Sequence, residues 1–263
     1  MTDRVEMLNQ HYGGYDEDTR LLRSRHGQLE YATTMHFIHK LANVRDRILE
    51  IGAGTGRYSV ALAKEGFAVT AVELAEKNCE ILAQHAKGLD NLKAYQGDAL
   101  HLERFEDDSF DVTLLLGPMY HLYTAEDQMT ALKEAVRVTK PGGVLLTAFL
   151  SVHAILYNNY LQGNLFAGME ENFTPDYRVR HYTEQLFTGF NVDEFEALFE
   201  QLPVDRITTA ATSGIFELAE GRKDFAMSDA EFACFLDYHL HHCERRELLG
   251  SSCHLLTVCR KRQ

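Results

Sequence analysis

The chain is 263 residues long, 45% hydrophobic and 25% charged, with a formal net charge of −13. That composition fits a folded chain with a hydrophobic core of its own and excludes global disorder. No apolar run approaches the ~20 residues of a membrane span, and 17 acidic against 7 basic residues over 151–250 make a phosphate backbone a poor partner.

The first ten residues are polar and carry Asp3 and Glu6, so no leader peptide is expected. Five scattered cysteines (Cys79, Cys234, Cys243, Cys253, Cys259) without a CxxC argue against a disulfide framework and fit a reducing, cytoplasmic setting. Residues 1–47 read as a helical segment, with Leu29, Thr33, His36, Phe37 and Leu41 at roughly helical spacing. Arg47–Ile51 is a short apolar strand, stopped by Gly52-Ala53-Gly54-Thr55-Gly56, and a helix follows from Tyr58 to Glu65. Val69–Glu73 is a second strand, Glu76–Lys87 a helix, Leu92–Gln96 a third strand ending near Gly97-Asp98, and Phe110–Leu116 a fourth. A helix over Glu126–Val138 stops at the turn Lys140-Pro141-Gly142-Gly143, and Val144–Leu150 is the fifth strand. Strand and helix alternating in this way predict an α/β chain with a doubly wound parallel sheet, helices on both faces. Beyond 150 the regularity breaks. Val192–Leu202 reads as helix, Val204–Thr212 and Ser252–Arg260 as strands, and 151–190 and 214–249 as insertions. The chain therefore divides into a helical segment 1–47, a core 48–150, and a second half 151–263 whose insertions leave the sheet where a lid would lie.

The glycine-rich turn between a strand and a helix is the strongest chemical signal. Glycines let backbone approach a ligand, and a helix N-terminus offers free N–H groups. The spacing is GxGxG, not the dinucleotide GxGxxG, with Arg57 where a third packing glycine would stand. Glu73, at the end of the second strand, can accept from a ribose diol, which NAD shares with other adenosine ligands. Asp98 can accept from an adenine amino group. Glu50-x-Gly52-x-Gly54-x-Gly56, Glu73, Asp98, Phe110-Asp111-Val112 through Leu116, and Arg137-Val138-x-Lys140-Pro141-Gly142-Gly143 together resemble class I S-adenosylmethionine-dependent methyltransferases. With Tyr12-Gly-Gly-Tyr15 and Leu116-Gly-Pro-Met-Tyr-His-Leu122, the wider chain is similar to bacterial small-molecule methyltransferases.

The resemblance implies a seven-stranded sheet of order 3-2-1-4-5-7-6 with the last strand antiparallel, S-adenosylmethionine as cofactor and S-adenosylhomocysteine as product. It implies that Gly52, Ala53, Gly54 and Gly56 pack under the methionine part, with Glu50 anchoring the loop and helping to hold the amino group. Glu73 would bind the ribose, Leu74 lie on adenine, Asp98 and Ala99 meet its edge, and Leu116-Gly117 present backbone to the cofactor. Tyr12 and Tyr15, in a segment that folds over the cofactor in such enzymes, would line the pocket or bond the carboxylate. His121 and Tyr120, just after the fourth strand, are the candidate catalytic pair; the other reading of His121 is a cap for the next helix. His239 and Cys243 share a helix face, but no third ligand completes a site, and no metal is expected. The expected partner is a small-molecule methyl acceptor, neutral or cationic such as an amine, enclosed by aromatics such as Tyr157, Tyr160, Phe166, Phe173 and Tyr182. Neither nucleic acid nor membrane is expected, and the chain reads as a monomer or homodimer. A cofactor-binding protein without catalysis, or an RNA or protein methyltransferase, is the alternative.

Overall fold

The computed structural model describes residues 4–161, 163–182 and 185–263; the first three of the ten residues read as no leader, and positions 162, 183 and 184 of the first insertion, lie outside them. Among the described residues, eight strands form one sheet: β1 (Arg47–Ile51), β2 (Ala68–Glu73), β3 (Leu92–Gln96), β4 (Phe110–Leu115), β5 (Thr139–Ser151), β6 (Gly189–Phe190), β7 (Val204–Ala211) and β8 (His254–Lys261). The order is β3-β2-β1-β4-β5-β8-β7, with the two-residue β6 beside the end of β5. Leaving β6 aside, this is the expected seven-stranded path. β1 to β5 run parallel, and β8 runs antiparallel between β5 and β7.

Alternation along each strand sorts side chains to the two faces. Ile48, Val69, Ala71, Val112, Leu114 and Leu146 point to one face, where α2 (Arg25–Leu41) and α3 (Arg57–Lys64) bring Phe37, Ile38 and Leu62. Leu49, Ile51, Val72, Leu115, Leu145 and Phe149 point to the other, under α5 (Ala125–Val138) and α8 (Val192–Leu198). Each fully buried Leu or Phe stabilises by about 1.5–3 kcal/mol. The remaining helices are α1 (Arg4–Gly14), α4 (Glu76–His85), α6 (Val152–Tyr160), α7 (Leu165–Asn172), α9 (Phe216–Glu220), α10 (Asp229–His242) and α11 (Arg246–Leu249). Among the described residues, no helix is long and apolar enough to cross a membrane.

Three local expectations are corrected. Residues 4–47 hold two separate helices, α1 and α2, and Ser24 starts the second by accepting from the Gly27 N–H at 3.1 Å. Residues 140–143 are not a free turn: β5 begins at Thr139, and a register shift against Phe110–Val112 absorbs the glycines as a bulge. The pair Gly189–Phe190 adds a short strand to β5 that no periodicity marked.

Candidate functional site

The carboxyl ends of β1, β2, β3 and β4 open on one side of the sheet, as a doubly wound topology requires. There they border a cavity of about 390 Å³, the size class of small-molecule sites.

The loop after β1 is shaped by what its glycines avoid. Gly52 (φ +77°) has Pro118 Cδ where a Cβ would come within 2.5 Å, and Gly56 (φ +90°) has Leu82 Cδ1 at 2.4 Å. Both are demanded by packing. A Cβ on Gly54 (φ +55°) would meet only the Glu17 side chain at 3.5 Å, so its bare face looks into the cavity. Gly52 and Gly54 line the cavity; Ala53 and Gly56 lie beneath it. Glu50 does not line it either. It is buried and accepts from the Ser59 hydroxyl in the first turn of α3, and burial pushes its carboxyl up to about 8. Glu50 therefore ties the helix to the strand from below, and the expected touch on a ligand amino group is not made by this geometry. Arg57 is exposed, with its guanidinium 5.8 Å from the Tyr31 ring centre. The close packing beneath the loop is made by Gly56 against Leu82 of α4.

Glu73 closes β2 in a buried position. Its carboxylate accepts from the Gly54 N–H at 2.7 Å and the Ala75 N–H at 2.9 Å, and burial raises its pKa against those bonds. Glu73 thus fixes the glycine loop and still faces the cavity, as do Leu74 and Ala75. After β3, Asp98 accepts from the Leu100 N–H at 3.1 Å and pairs with Arg4 of α1, beside Ala99. Leu116 and Gly117 border the same space from the end of β4. A bare glycine, a buried carboxylate and an edge carboxylate on three successive strand ends make a cradle for an adenosine ligand with a short charged tail. The cofactor's proposed contacts fit these residues, with Glu50, Ala53 and Gly56 as its underpinning.

The N-terminal segment roofs the cavity. Tyr12 and Tyr15 both line it. The Tyr12 hydroxyl meets His121 Nε2 at 3.0 Å, and His121 Nδ1 meets the Leu186 carbonyl at 2.7 Å. A carbonyl can only accept, so Nδ1 carries the proton and Nε2 accepts from Tyr12. Burial lowers the pKa of His121 to about 4. Both ring nitrogens are engaged, which makes His121 a clasp between α1, the β4 exit and residue 186, and a weak proton acceptor. It does not cap α5; Thr124 does, accepting from the Asp127 N–H at 3.0 Å. Tyr15 accepts from Arg23 at 2.6 Å and stacks on His11. Tyr120 is buried with its ring centre 5.9 Å from that of His254.

Away from the glycine loop, the wall is built by Arg20 and His26 of the N-terminal segment and by residues that spacing did not single out: Glu17, Leu150, Glu217, Cys253 and His254. Arg20 donates to both oxygens of Glu30, at 2.8 and 3.0 Å, and to Glu17 at 2.9 Å. Burial pushes the Glu30 carboxyl up, but Arg20 and His254 outweigh it and hold the pKa at about 2. Of the first insertion, Ile155, Asn159 and Phe187 reach the cavity. Tyr157, Tyr160, Phe166 and Phe173 do not; Phe166 is 92% exposed, and Phe173 stacks near His153 instead. Tyr182 also lies off the wall. Ile155 and Asn159 stand four apart on α6, a same-face pair directly after β5 that was legible in principle. His239 Nε2 donates to the Ala211 carbonyl at 2.9 Å, a structural contact.

Residues 49–147 match the methyltransferase-domain family. The demethylmenaquinone methyltransferase of Staphylococcus haemolyticus is 29% identical over 186 residues, 65% of this chain and 73% of that protein. An S-adenosylmethionine-dependent methyltransferase of Methanosarcina mazei superposes with a TM-score of 0.57 at 19% identity, covering 86% of this chain and 97% of that one. Phosphoethanolamine N-methyltransferase 1 of Haemonchus contortus, solved with phosphoethanolamine and S-adenosylhomocysteine, superposes at 0.64 and 15% identity, covering all of this chain and 50% of that one.

Proposed function

The chain is a class I S-adenosylmethionine-dependent methyltransferase, and from that premise we propose that its acceptor is a small molecule taken whole into the cavity. One observation carries the reading: the cavity beside the glycine loop is roofed by α1 and the loop to α2, with Ile155 and Asn159 of α6, Phe187, and Glu217 of α9 at its far side. A polymer substrate needs an open groove; this space has the strand exits on one side and the N-terminal segment, α6 and α9 on the others. The named activity of the staphylococcal relative, on demethylmenaquinone, supports a small acceptor at the level of class only.

When bound, the cofactor supplies a methyl group already activated on a sulfonium. What the chain must add is placement and dryness. Glu73, Leu74, Asp98, Ala99, Leu116 and Gly117 would hold the nucleoside, and Gly52 and Gly54 would admit the amino-acid tail. Arg4 ties α1 to Asp98, and Tyr12 ties it to His121, so the roof is latched at both ends of the nucleoside cradle. Tyr120 is held close to His254 at the acceptor wall, and burial keeps its hydroxyl protonated. The proposed catalytic role of Tyr120 and His121 is therefore positioning: Tyr120 shapes the acceptor pocket, His121 latches the roof.

The test is transfer of label from methyl-labelled S-adenosylmethionine into three separate pools: dialysable metabolites, total RNA and total protein. Label in the metabolite pool with stoichiometric S-adenosylhomocysteine is expected. Label only in RNA or protein would overturn the small-molecule reading, and cofactor binding without S-adenosylhomocysteine in any pool would leave a non-catalytic binder.

A further inference from the structure

Among the described residues, four histidines border the cavity: His11, His26, His121 and His254. The partners of the ring nitrogens decide which of them can take a proton from a ligand. His121 has both nitrogens engaged, and burial holds its pKa at about 4. The Nδ1 of His254 is closed off, within ion-pair range of Glu30 and Glu217. His11 stacks on Tyr15 and stands edge-on to Tyr12 and Phe187, and no hydrogen-bonded group among the described residues fixes its tautomer. The carboxylates of the wall are committed as well: Glu17 and Glu30 to Arg20, Asp98 to Arg4, and Glu73 to the glycine loop.

His26 is held differently. It stands in the first turn of α2, against α9 of the second insertion. Glu220 of α9 meets its Nδ1 at 2.6 Å, and the same carboxylate accepts from the backbone N–H groups of Arg25 at 2.6 Å and His26 at 2.9 Å. An ionised carboxylate only accepts, so Nδ1 carries the ring proton and Nε2 the lone pair. The contact of Nε2 with the Ser24 hydroxyl is 3.3 Å, long for a hydroxyl donor, and that oxygen already caps α2 by accepting from the Gly27 N–H. The side chain keeps 27% of its surface open. The guanidinium of Arg25 reaches Asp229 and lies 4.7 Å from the Phe232 ring centre, so the start of α2 is clamped to α10 beside this pair. An imidazole fixed in one tautomer by a carboxylate, at the edge of a ligand cavity, is the arrangement that general-base catalysis uses.

We propose that His26, oriented by Glu220, is the general base of methyl transfer, and that the acceptor reacts through an atom that carries a proton: a hydroxyl, a thiol or an uncharged amine. The proposal rests on the small-molecule methyltransferase reading above. The acceptor atom uses a lone pair to bond the methyl carbon, the electron pair of the broken carbon–sulfur bond stays on sulfur, and the acceptor's proton passes to Nε2 of His26. The imidazolium keeps its Nδ1–H on Glu220, whose charge balances it, and gives up the proton to solvent once the product has left. Glu220 touches no ligand in this scheme and is a positioning residue.

Two measurements test it. The first needs no turnover: nitrogen-15 spectra of histidine-labelled, S-adenosylhomocysteine-loaded protein in mildly alkaline buffer. The signal lost in His26→Gln is expected to show a protonated Nδ1 and a bare Nε2; a proton on Nε2 would overturn the base. The second follows label from methyl-labelled S-adenosylmethionine into the dialysable metabolite pool. His26→Gln and His26→Ala are each expected to slow transfer by about a hundredfold or more while still binding S-adenosylhomocysteine. Added imidazole is expected to recover about tenfold or more of that loss in His26→Ala, which it would not do for a ring that only packs. Glu220→Gln keeps an acceptor for the backbone N–H groups and is expected to slow transfer by about tenfold, with no gain from imidazole. A wild-type rate in either His26 variant, or no recovery with imidazole, would overturn the base, and a wild-type rate in Glu220→Gln would overturn the pair. Loss of S-adenosylhomocysteine binding in both His26 variants would make His26 a structural residue and overturn the proposal. No label in the metabolite pool with the wild-type protein would instead overturn the small-molecule reading on which the proposal rests.

Discussion

The two ends of the cavity were built by different means. At the nucleoside end, every contributor but Arg4 and the roof sits at the exit of one of four consecutive parallel strands, within residues 51–117. At the acceptor end, the wall gathers Arg20, Glu30, Leu150, Glu217 and His254 from five separate elements, over more than two hundred residues of chain. The first end is a property of the topology, because strand exits in a doubly wound sheet must converge. The second is assembled from segments far apart in the chain, of which only Glu217 belongs to an insertion, and the proposal places the acceptor there.

The sharpest way to separate the ends is to fill one of them. Gly54→Val puts a branched side chain where the glycine's bare face borders the cavity, with only the Glu17 side chain in its path. Binding of S-adenosylhomocysteine should be lost beyond detection while the circular dichroism spectrum and cooperative unfolding persist. Unchanged affinity in the folded variant would put the ligand elsewhere.

At the acceptor end the largest expected effect is on stability. Glu30→Gln leaves the Arg20 guanidinium short of its bidentate partner in a buried wall, at a cost of about 3 kcal/mol in denaturant unfolding. The dependence on pH has a definite sign. With a folded pKa of about 2, Glu30 contributes stability that is full above the unfolded value near 4.5 and is lost as pH falls toward about 2. A wild-type protein and Glu30→Gln of equal stability at neutral pH would contradict the buried pair.

The latch between the ends should respond in a different window. His121 is neutral in the fold, with a pKa of about 4 against about 6.5 when unfolded, so the unfolded chain binds more protons between those values. Stability should therefore fall as pH drops from about 6.5 to about 4, by at most about 3 kcal/mol. His121→Gln should flatten that slope and leave the lower window of Glu30 in place. A wild-type slope retained in the variant would mean that another group titrates.

The smallest expected effect belongs to Glu73. Its carboxylate both faces the nucleoside and holds the Gly54 and Ala75 N–H groups. Glu73→Ala should weaken S-adenosylhomocysteine binding by about 1–3 kcal/mol. Glu73→Gln, which keeps an acceptor for the loop, should lose less; equal losses would assign the whole effect to loop collapse.

The same contrast explains what could be read in advance. The order of seven strands follows from a rule-bound topology and stands as expected; the glycine loop, Glu73 and Asp98 follow from local spacing and border the cavity at three strand exits. Glu50 was misplaced because sequence gives its neighbours along the strand but not which face it turns to: it points to Ser59, under the loop. Arg57 turns outward from the first turn of its helix, near the Tyr31 ring, a direction that its place after the glycine run does not reveal. The aromatics of 151–190 misled because hydrophobicity alone does not say inward. Phe166 faces solvent, while the less conspicuous Ile155 and Asn159 line the wall. Glu217 and His254 carried no signal at all, being 37 positions apart on elements that meet only after the sheet has closed.

The central claim is that one cavity holds cofactor and acceptor under a roof made by the N-terminal segment. Hydrogen exchange with and without S-adenosylhomocysteine tests it most directly. Protection should rise in the glycine loop over 52–56, at 73–75 and 97–99, and also across residues 4–26 and 150–160, because Arg4, Tyr12 and α6 close over the ligand. Protection confined to 50–120, with the N-terminal segment and α6 unchanged by ligand, would contradict the roof and leave an open cofactor site.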